Sequence, residues 1–153
     1  MKKTVRFLLC LVAVLCFILT QINAQPGALD VSFDPGTGAN YRIKSTLVMP
    51  DGKILIGGDF TEYNGTAVNR LARLHPNGQL DTTFNIGTGF TSFPTWPGIP
   101  DDVQTINAIA LQADGKILVG GSFDTINGQF AGRIVRLLPD GAVDTSFHTG
   151  RGL

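Results

Sequence analysis

Residues 51–60 read D-G-K-I-L-I-G-G-D-F, and residues 114–123 repeat the pattern as D-G-K-I-L-V-G-G-S-F. The alignment extends without a gap from 51–90 onto 114–153 and contains 20 identities in 40 positions. Self-similarity at a fixed spacing is the signature of a repeat architecture. The sequence therefore predicts two tandem copies of one structural unit.

A second motif occurs three times and frames the two copies. It reads L-D-V-S-F-D-P-G-T-G at 29–38, L-D-T-T-F-N-I-G-T-G at 80–89 and V-D-T-S-F-H-T-G-R-G at 143–152. The motif ends each copy and also precedes the first, which predicts an extra leading strand. The predicted boundaries are a leading strand element at 27–40, a first repeat at 41–90 and a second repeat at 91–153.

Turn-forming pairs divide each copy into four short segments. Asp-Gly and Asn-Gly are favoured in tight hairpins because both positions tolerate positive φ. The segments between them are short and rich in β-branched residues, and they lack a helical period. We therefore predict an all-β fold of two tandem four-stranded antiparallel repeats that resemble propeller blades, with both sheet faces covered. In the second repeat the predicted strands are 106–111, 116–122, 133–138 and 142–147.

The first 24 residues have the composition of a signal peptide. Lys2, Lys3 and Arg6 form a positively charged start, and an uncharged apolar run follows at 7–19. That run is shorter than the roughly 20 apolar residues that a bilayer span needs. We predict export with cleavage after Ala24, and an uncleaved membrane anchor is the alternative.

Cleavage would also change the composition of the chain. It removes both cysteines, Cys10 and Cys16, so the exported protein would have no disulfide, cysteine-zinc site or cysteine nucleophile. Nine basic side chains would then face twelve acidic ones, a formal charge of −3. Because proteins that bind nucleic acid normally present a basic stripe, nucleic acid is not an expected partner. We expect no cofactor, no bound metal and no membrane span in the exported chain.

The repeated motifs resemble those of the delta-60 repeat family of bacterial secreted and surface proteins. The resemblance covers essentially all of 27–153 and includes R-x-x-R-L-x-P-x-G at 70–78 and 133–141. It implies a β-propeller and, by itself, no enzyme activity. Propellers typically need roughly four to eight blades to close. Two repeats therefore predict an incomplete propeller that further blades or self-association would complete.

The second repeat contains an insertion of 12 residues at 91–102. Within it, Phe93 and Trp96 offer aromatic surfaces for stacking on a sugar or a partner, and loops of this kind often bind ligands. Asp101 and Asp102 can accept hydrogen bonds from hydroxyl groups. These four residues are the candidate ligand-binding set. The alternative is a proline-stiffened loop whose aromatic side chains cover the edge of a blade.

Other recurrent residues have structural explanations. Asp30, Asp81 and Asp144 recur in register, which allows a calcium ladder, although such a carboxylate usually caps its own backbone in an Asx-turn. The glycine pairs at 57–58 and 120–121 do not fit a phosphate-binding loop, and we expect them where strands pack closely or bulge.

Neither the repeated arginines nor the two histidines indicate a catalytic site. The arginines fit either a charge ladder between blades or solvated rim positions. His75 and His148 form no triad with a serine and a carboxylate that spacing supports. The arginines concerned are Arg70, Arg73, Arg133 and Arg136.

These observations predict an exported, non-catalytic module for recognition, adhesion or scaffolding at or beyond the cell surface. A protein or a glycan is the expected partner, and the contacts are expected on loop faces. The alternative function is that of one part of a larger propeller hydrolase or lyase whose catalytic residues lie outside this chain.

Overall fold

The computed structural model describes residues 27–91 and 104–148. The chain divides into two compact units, Met1–Val31 and Ser32–Leu153. The first unit is described only at residues 27–31, which contain no strand. All of the described strands lie in the second unit.

The described part of the second unit forms eleven strands and no helix. The alternation of short apolar runs with glycine-containing turns thus produces the predicted all-β architecture. The strands are β1 (Ile43–Val48), β2 (Ile54–Gly58), β3 (Glu62–Tyr63), β4 (Thr66–Ala67), β5 (Leu71–Leu74), β6 (Phe90–Thr91), β7 (Thr105–Leu111), β8 (Ile117–Ser122), β9 (Thr125–Ile126), β10 (Gln129–Phe130) and β11 (Ile134–Leu137).

Each repeat is built on one three-stranded antiparallel sheet. The first has the order β1-β2-β5, and the second has the equivalent order β7-β8-β11. The registers are equivalent as well, since Thr46 pairs with Ile56 and Ile109 pairs with Val119. The first strand of each sheet carries a bulge, between Ile43 and Ser45 in β1 and between Ile106 and Ala108 in β7. The two copies in the sequence are therefore two copies of one fold.

The fourth predicted strand of each repeat is much shorter than expected. In the second repeat, 142–147 forms only an isolated bridge from Val143 to Leu137. The side chain of Asp144 then accepts a hydrogen bond from the Ser146 backbone at 3.0 Å, which folds the chain into an Asx-turn. The prediction of a strand over 142–147 is corrected accordingly, because the side chain competes with strand pairing for the backbone N–H.

Small hairpins connect the second and third strands of each sheet. The Asn64-Gly65 pair forms the tip of the β3–β4 hairpin, and both residues have positive φ, 50° and 74°. The leading element contributes a single bridge from Ala39 to Tyr63, where the second repeat has β6 paired with β9. The preceding Gly-Thr-Gly segment wraps around the hairpin tip, because the Asn64 side chain accepts a hydrogen bond from Gly38 N at 2.8 Å.

The Asp-Gly turns differ in one respect from the expectation. In the first, Gly52 N donates to Met49 O at 2.9 Å and Met49 N donates to Lys53 O at 2.8 Å. Only Gly52, at φ +82°, is left-handed, while Asp51 is not. The loop is therefore a three-residue connection with glycine in the αL position rather than a two-residue turn with two positive φ angles.

The core continues from the first repeat into the second. Leu55 and Leu71 on one face of the first sheet belong to the same buried cluster as Ile106, Ile117 and the Phe90–Phe123 ring pair. Residues of the opposite face form a second cluster around Phe60 and Tyr63. Strands β2 and β5 of the first sheet are therefore covered on both faces, as the continuously apolar β2 predicts.

The paired glycines allow this packing. A Cβ on Gly57 would lie 2.5 Å from Cγ2 of Ile106, so the side chain of the second repeat occupies the space that a larger residue would need. A Cβ on Gly58 or Gly121 would collide with the backbone carbonyl of Arg42 or Thr105, respectively. Close packing and strand approach at a bulge, the predicted roles of these glycines, are both confirmed.

Candidate functional site

Three motifs that lie apart in the sequence meet at one buried carboxylate in the first repeat. Asp81 is 1% exposed, and its Oδ2 lies 2.8 Å from Nε of Arg73 and 3.0 Å from Nζ of Lys53. The lysine comes from the Asp-Gly-Lys turn, the arginine from β5 and the aspartate from the Asp-x-x-Phe motif. The recurrent charged residues thus form an ion cluster inside the repeat.

The same carboxylate caps the turn that follows it. Its Oδ1 accepts hydrogen bonds from Thr83 N at 3.0 Å and from Thr83 Oγ1 at 2.5 Å. The predicted Asx-turn is therefore confirmed. Burial alone raises the pKa of Asp81, but hydrogen bonds from Thr83, Lys53 and Arg73 outweigh burial and hold the pKa well below its usual range.

The second repeat contains an equivalent cluster. Asp144 Oδ2 lies 2.8 Å from Nε of Arg136 and 3.1 Å from Nζ of Lys116. The hydrogen bond from the Ser146 hydroxyl is the largest influence on the pKa of Asp144, and it lowers that pKa together with Lys116 and Arg136 against the effect of burial. Both carboxylates are thus ionised and fully engaged at neutral pH, which makes them poor general acids or bases.

Each arginine of the cluster also stacks on the phenylalanine of its own repeat. The guanidinium carbon of Arg73 lies 4.8 Å from the ring centre of Phe84, and that of Arg136 lies 4.7 Å from Phe147. Cation–π contacts of this kind add to the ion pair. The Phe of the Asp-x-x-Phe motif is therefore explained by contact with the arginine.

In the first repeat two arginines also reach the second repeat. Arg70 Nε donates to the backbone oxygen of Gln104 at 2.8 Å, and Arg73 Nη1 donates to that of Pro139 at 2.6 Å. These bonds go to carbonyl groups rather than to acidic side chains. They therefore connect the blades through backbone oxygens. Arg73 is 7% exposed, which also excludes a solvated rim position for this residue.

The histidines do not complete a catalytic arrangement with these clusters. Nε2 of His75 lies 4.0 Å from Oδ1 of Asp81, beyond hydrogen-bond distance, and the aspartate is already bound by Arg73 and Lys53. His148 is exposed. Within 27–91 and 104–148, no group of three or more His, Cys, Asp or Glu side chains has the arrangement of a metal site.

The four residues predicted to bind a ligand, Phe93, Trp96, Asp101 and Asp102, lie outside the described residues. The structure does reveal a groove that the sequence did not predict, at the same place in both repeats. It lies between the small hairpin, β3–β4 or β9–β10, and the Asp-x-x-Phe turn of the same repeat. Its volume is about 190 Å³ in the first repeat and 360 Å³ in the second. Phe130, 52% exposed, lines the larger groove where the first repeat has Ala67. This difference between aligned positions was the available sequence signal.

Comparison with known families agrees with the blade-like sheets. Residues 50–84 and 112–147 both match a family described as "Domain of unknown function (DUF5122) beta-propeller". The repeats are propeller-like. The two matches start beside the Asp-Gly-Lys turns, end in the Asp-x-x-Phe motifs and together span just under half of the chain. Each therefore contains all three members of an ion cluster.

Comparisons with curated proteins and with solved structures found no match. Among the described residues, no helix is long and apolar enough to cross a membrane.

Proposed function

We propose that this propeller-like chain is an exported, non-catalytic module of the bacterial delta-60 type. It recognises a protein or a glycan at or beyond the cell surface, in adhesion or scaffolding. The observation that carries the proposal is the use of the recurrent charged residues inside the blades, where Asp81 and Asp144 are held by lysine and arginine. The strongest sequence motifs therefore have a structural role, and recognition is left to the loops.

Two further features support the proposal. The apolar segment at 7–19, preceded by three positive charges, fits export. The insertion at 91–102, predicted to form a loop, contains an indole ring, three prolines and two carboxylates. Aromatic side chains beside hydrogen-bond acceptors provide the chemistry that stacks on a sugar ring and binds its hydroxyl groups.

A glycan-binding screen tests the recognition surface. We expect the wild-type protein to bind a subset of glycans and Trp96→Ala to weaken that binding about tenfold or more, as loss of a central aromatic contact does at interfaces. Thr95→Ala, in the same loop, is the matched control and should bind as the wild type does. If the wild type binds no glycan, the sugar partner is excluded; equal binding by Trp96→Ala would exclude this loop as the site.

A further inference from the structure

The contact between the two repeats has a defined shape. In the first sheet, Gly57 of β2 shares a face with Leu55 and pairs with Leu71 of β5, and the absent side chain leaves a hollow that Ile106 of the second repeat fills. Leu55 is 0% exposed and Leu71 is 1% exposed in this contact, and Ile106 is also completely buried. The first repeat thus provides the hollow and the second provides the protruding side chain.

The equivalent hollow on the second repeat is open. Gly120 corresponds to Gly57, and a Cβ added to Gly120 would find its nearest neighbour, the Arg133 carbonyl oxygen, at 3.9 Å. Ile134, which corresponds to the buried Leu71, is 39% exposed. Leu118, which corresponds to Leu55, is half-buried. We call these three residues, Leu118, Gly120 and Ile134, the tail face.

The arginines beside the two hollows also differ in what they bind. Arg70 and Arg73 donate to backbone carbonyls of the next repeat. Their counterparts flank the tail face: Arg133 is exposed, and Arg136 donates to Asp144 and Ser146 of its own repeat. A partner on the tail face would therefore have to offer carbonyl oxygens as well as an apolar side chain.

The first repeat exposes the matching surface. Ile43 corresponds to Ile106 and is 44% exposed, and Val48 corresponds to Leu111 and is 71% exposed. We call Ile43 and Val48 the head face. The carbonyl groups of Tyr41 and Pro76 stand in the positions that Gln104 and Pro139 hold in the internal contact, and both residues are exposed.

We propose that the chain associates head to tail with a second copy of itself. Ile43 of one copy enters the hollow at Gly120 of the next, as Ile106 enters the hollow at Gly57 within the chain. In the second copy the backbone oxygen of Asn77 is not available to a neighbour, because Asp34 N of its own leading element donates to it at 2.8 Å. The contact between copies therefore uses the strand faces and the two arginines.

This geometry determines the kind of assembly. A head-to-tail contact is heterologous, so it forms a ring if the rotation closes and a filament if it does not. Two to four chains would bring together four, six or eight repeats, in the range of roughly four to eight blades of closed propellers. The proposal does not depend on the ligand-binding loop, so a negative glycan screen leaves it intact.

Complementary variants test the proposal with the purified chain. Ile43→Lys removes the head face and Ile134→Lys removes the tail face, and both positions are exposed enough to accept lysine in the folded monomer. We expect the wild type to associate as its concentration rises, measured by light scattering and sedimentation velocity. Each variant alone should associate about tenfold more weakly or worse.

Mixing the two variants is the decisive measurement. Each variant retains the face that the other lacks, so the mixture should form a complex of two chains that does not grow further. Phe130→Lys is the matched control, because its counterpart Ala67 stays exposed beside the internal contact, and it should associate as the wild type does. A wild type that remains monomeric, a mixture without a complex, or single variants that still associate fully would each overturn the proposal.

Discussion

At the scale of single residues, the carboxylates of Asp81 and Asp144 explain why three separate motifs recur together. Each accepts hydrogen bonds from a lysine, an arginine and the hydroxyl group of its own turn. A buried carboxylate is tolerated only when such partners replace the lost water. The Lys, Arg and Asp positions therefore depend on one another, and a change in one leaves the others with an uncompensated charge.

Replacing the carboxylate should show this dependence. We expect Asp81→Asn to lower the free energy of unfolding by about 3 kcal/mol, because it leaves the buried Arg73 without its counter-charge. Urea unfolding followed by circular dichroism measures the change. Asp51→Asn is the control, since Asp51 is exposed and its Oδ2 lies 4.0 Å from Nζ of Lys53, and its effect should stay within about 0.5 kcal/mol. Equal effects of the two substitutions would contradict the role of the cluster.

The lowered pKa of Asp81 predicts a dependence of stability on pH. An aspartate whose pKa is depressed by folding stabilises the protein above its unfolded pKa, about 3.9, and loses this contribution as the pH falls through the folded value. The contribution should therefore be complete above about pH 5 and decline below about pH 4.

Urea midpoints of the wild type and of Asp81→Asn across this range measure the effect. The difference in urea midpoint between the two proteins should narrow as the pH falls, because only the wild type loses the stabilisation by ionised Asp81. A gap that stays constant from neutral pH to about pH 2 would show that folding does not shift this pKa.

At the scale of strands, nearly identical local sequences lie in different surroundings. The glycine pair follows Ile-Leu-Ile in β2 and Ile-Leu-Val in β8, yet Gly57 is packed against Ile106 whereas Gly120 faces open space. Leu71 of β5 is buried against the second repeat, whereas its counterpart Ile134 of β11 is 39% exposed. The strand sequence permits burial on this face, but a neighbouring blade must supply the contact.

The two glycines form a matched pair for mutation. Gly57→Ala should destabilise the fold by about 1–3 kcal/mol, because its Cβ would overlap Ile106. Gly120→Ala should be neutral or slightly stabilising, since the position is open and alanine loses less backbone entropy than glycine. Thermal and urea unfolding at concentrations that keep the chain monomeric provide the comparison. A loss of stability at Gly120 equal to that at Gly57 would contradict the difference in packing.

At the scale of the whole molecule, the described residues of the second unit form an all-β array of two propeller-like repeats with a core between them. Arg70 and Arg73 connect the repeats through backbone carbonyls, and the core passes through the same contact. Repeat arrays of this kind gain stability from contacts between neighbours as well as from each unit. In the proposed assembly, the exposed head and tail faces of two copies repeat that contact.

Export of the whole chain is a separate prediction. Expression in a bacterial host with an intact secretion pathway should yield extracytoplasmic protein. Its N-terminal sequence should begin at Gln25, and its intact mass should be that of residues 25–153. Replacing Lys2, Lys3 and Arg6 with glutamate should strongly reduce export, because the positive start of a signal peptide is required for its recognition. Retention of residues 1–24 in a membrane fraction would favour the uncleaved anchor.

Local sequence was sufficient to predict much of the fold. The duplicated blocks, the glycine turns and the β-branched runs predict all-β repeats, and the structure confirms them. The predicted strand at 142–147 was wrong because local propensity did not register the Asx-turn at Asp144. For the candidate site, sequence identified the recurrent Asp and Arg positions and the Asx-turn, but it did not predict that Lys53, Arg73 and Asp81 meet.

The sequence by itself determined the repeat, its turns and the residues that recur in them, because these depend on backbone preferences within a few residues. Only the tertiary structure decided which faces are buried and where each arginine binds, because these depend on contacts between segments far apart in the chain. The D-G-K-I-L pattern is the same in both copies. Among the described residues, the glycine after this pattern packs against Ile106 in the first copy and faces an open hollow in the second.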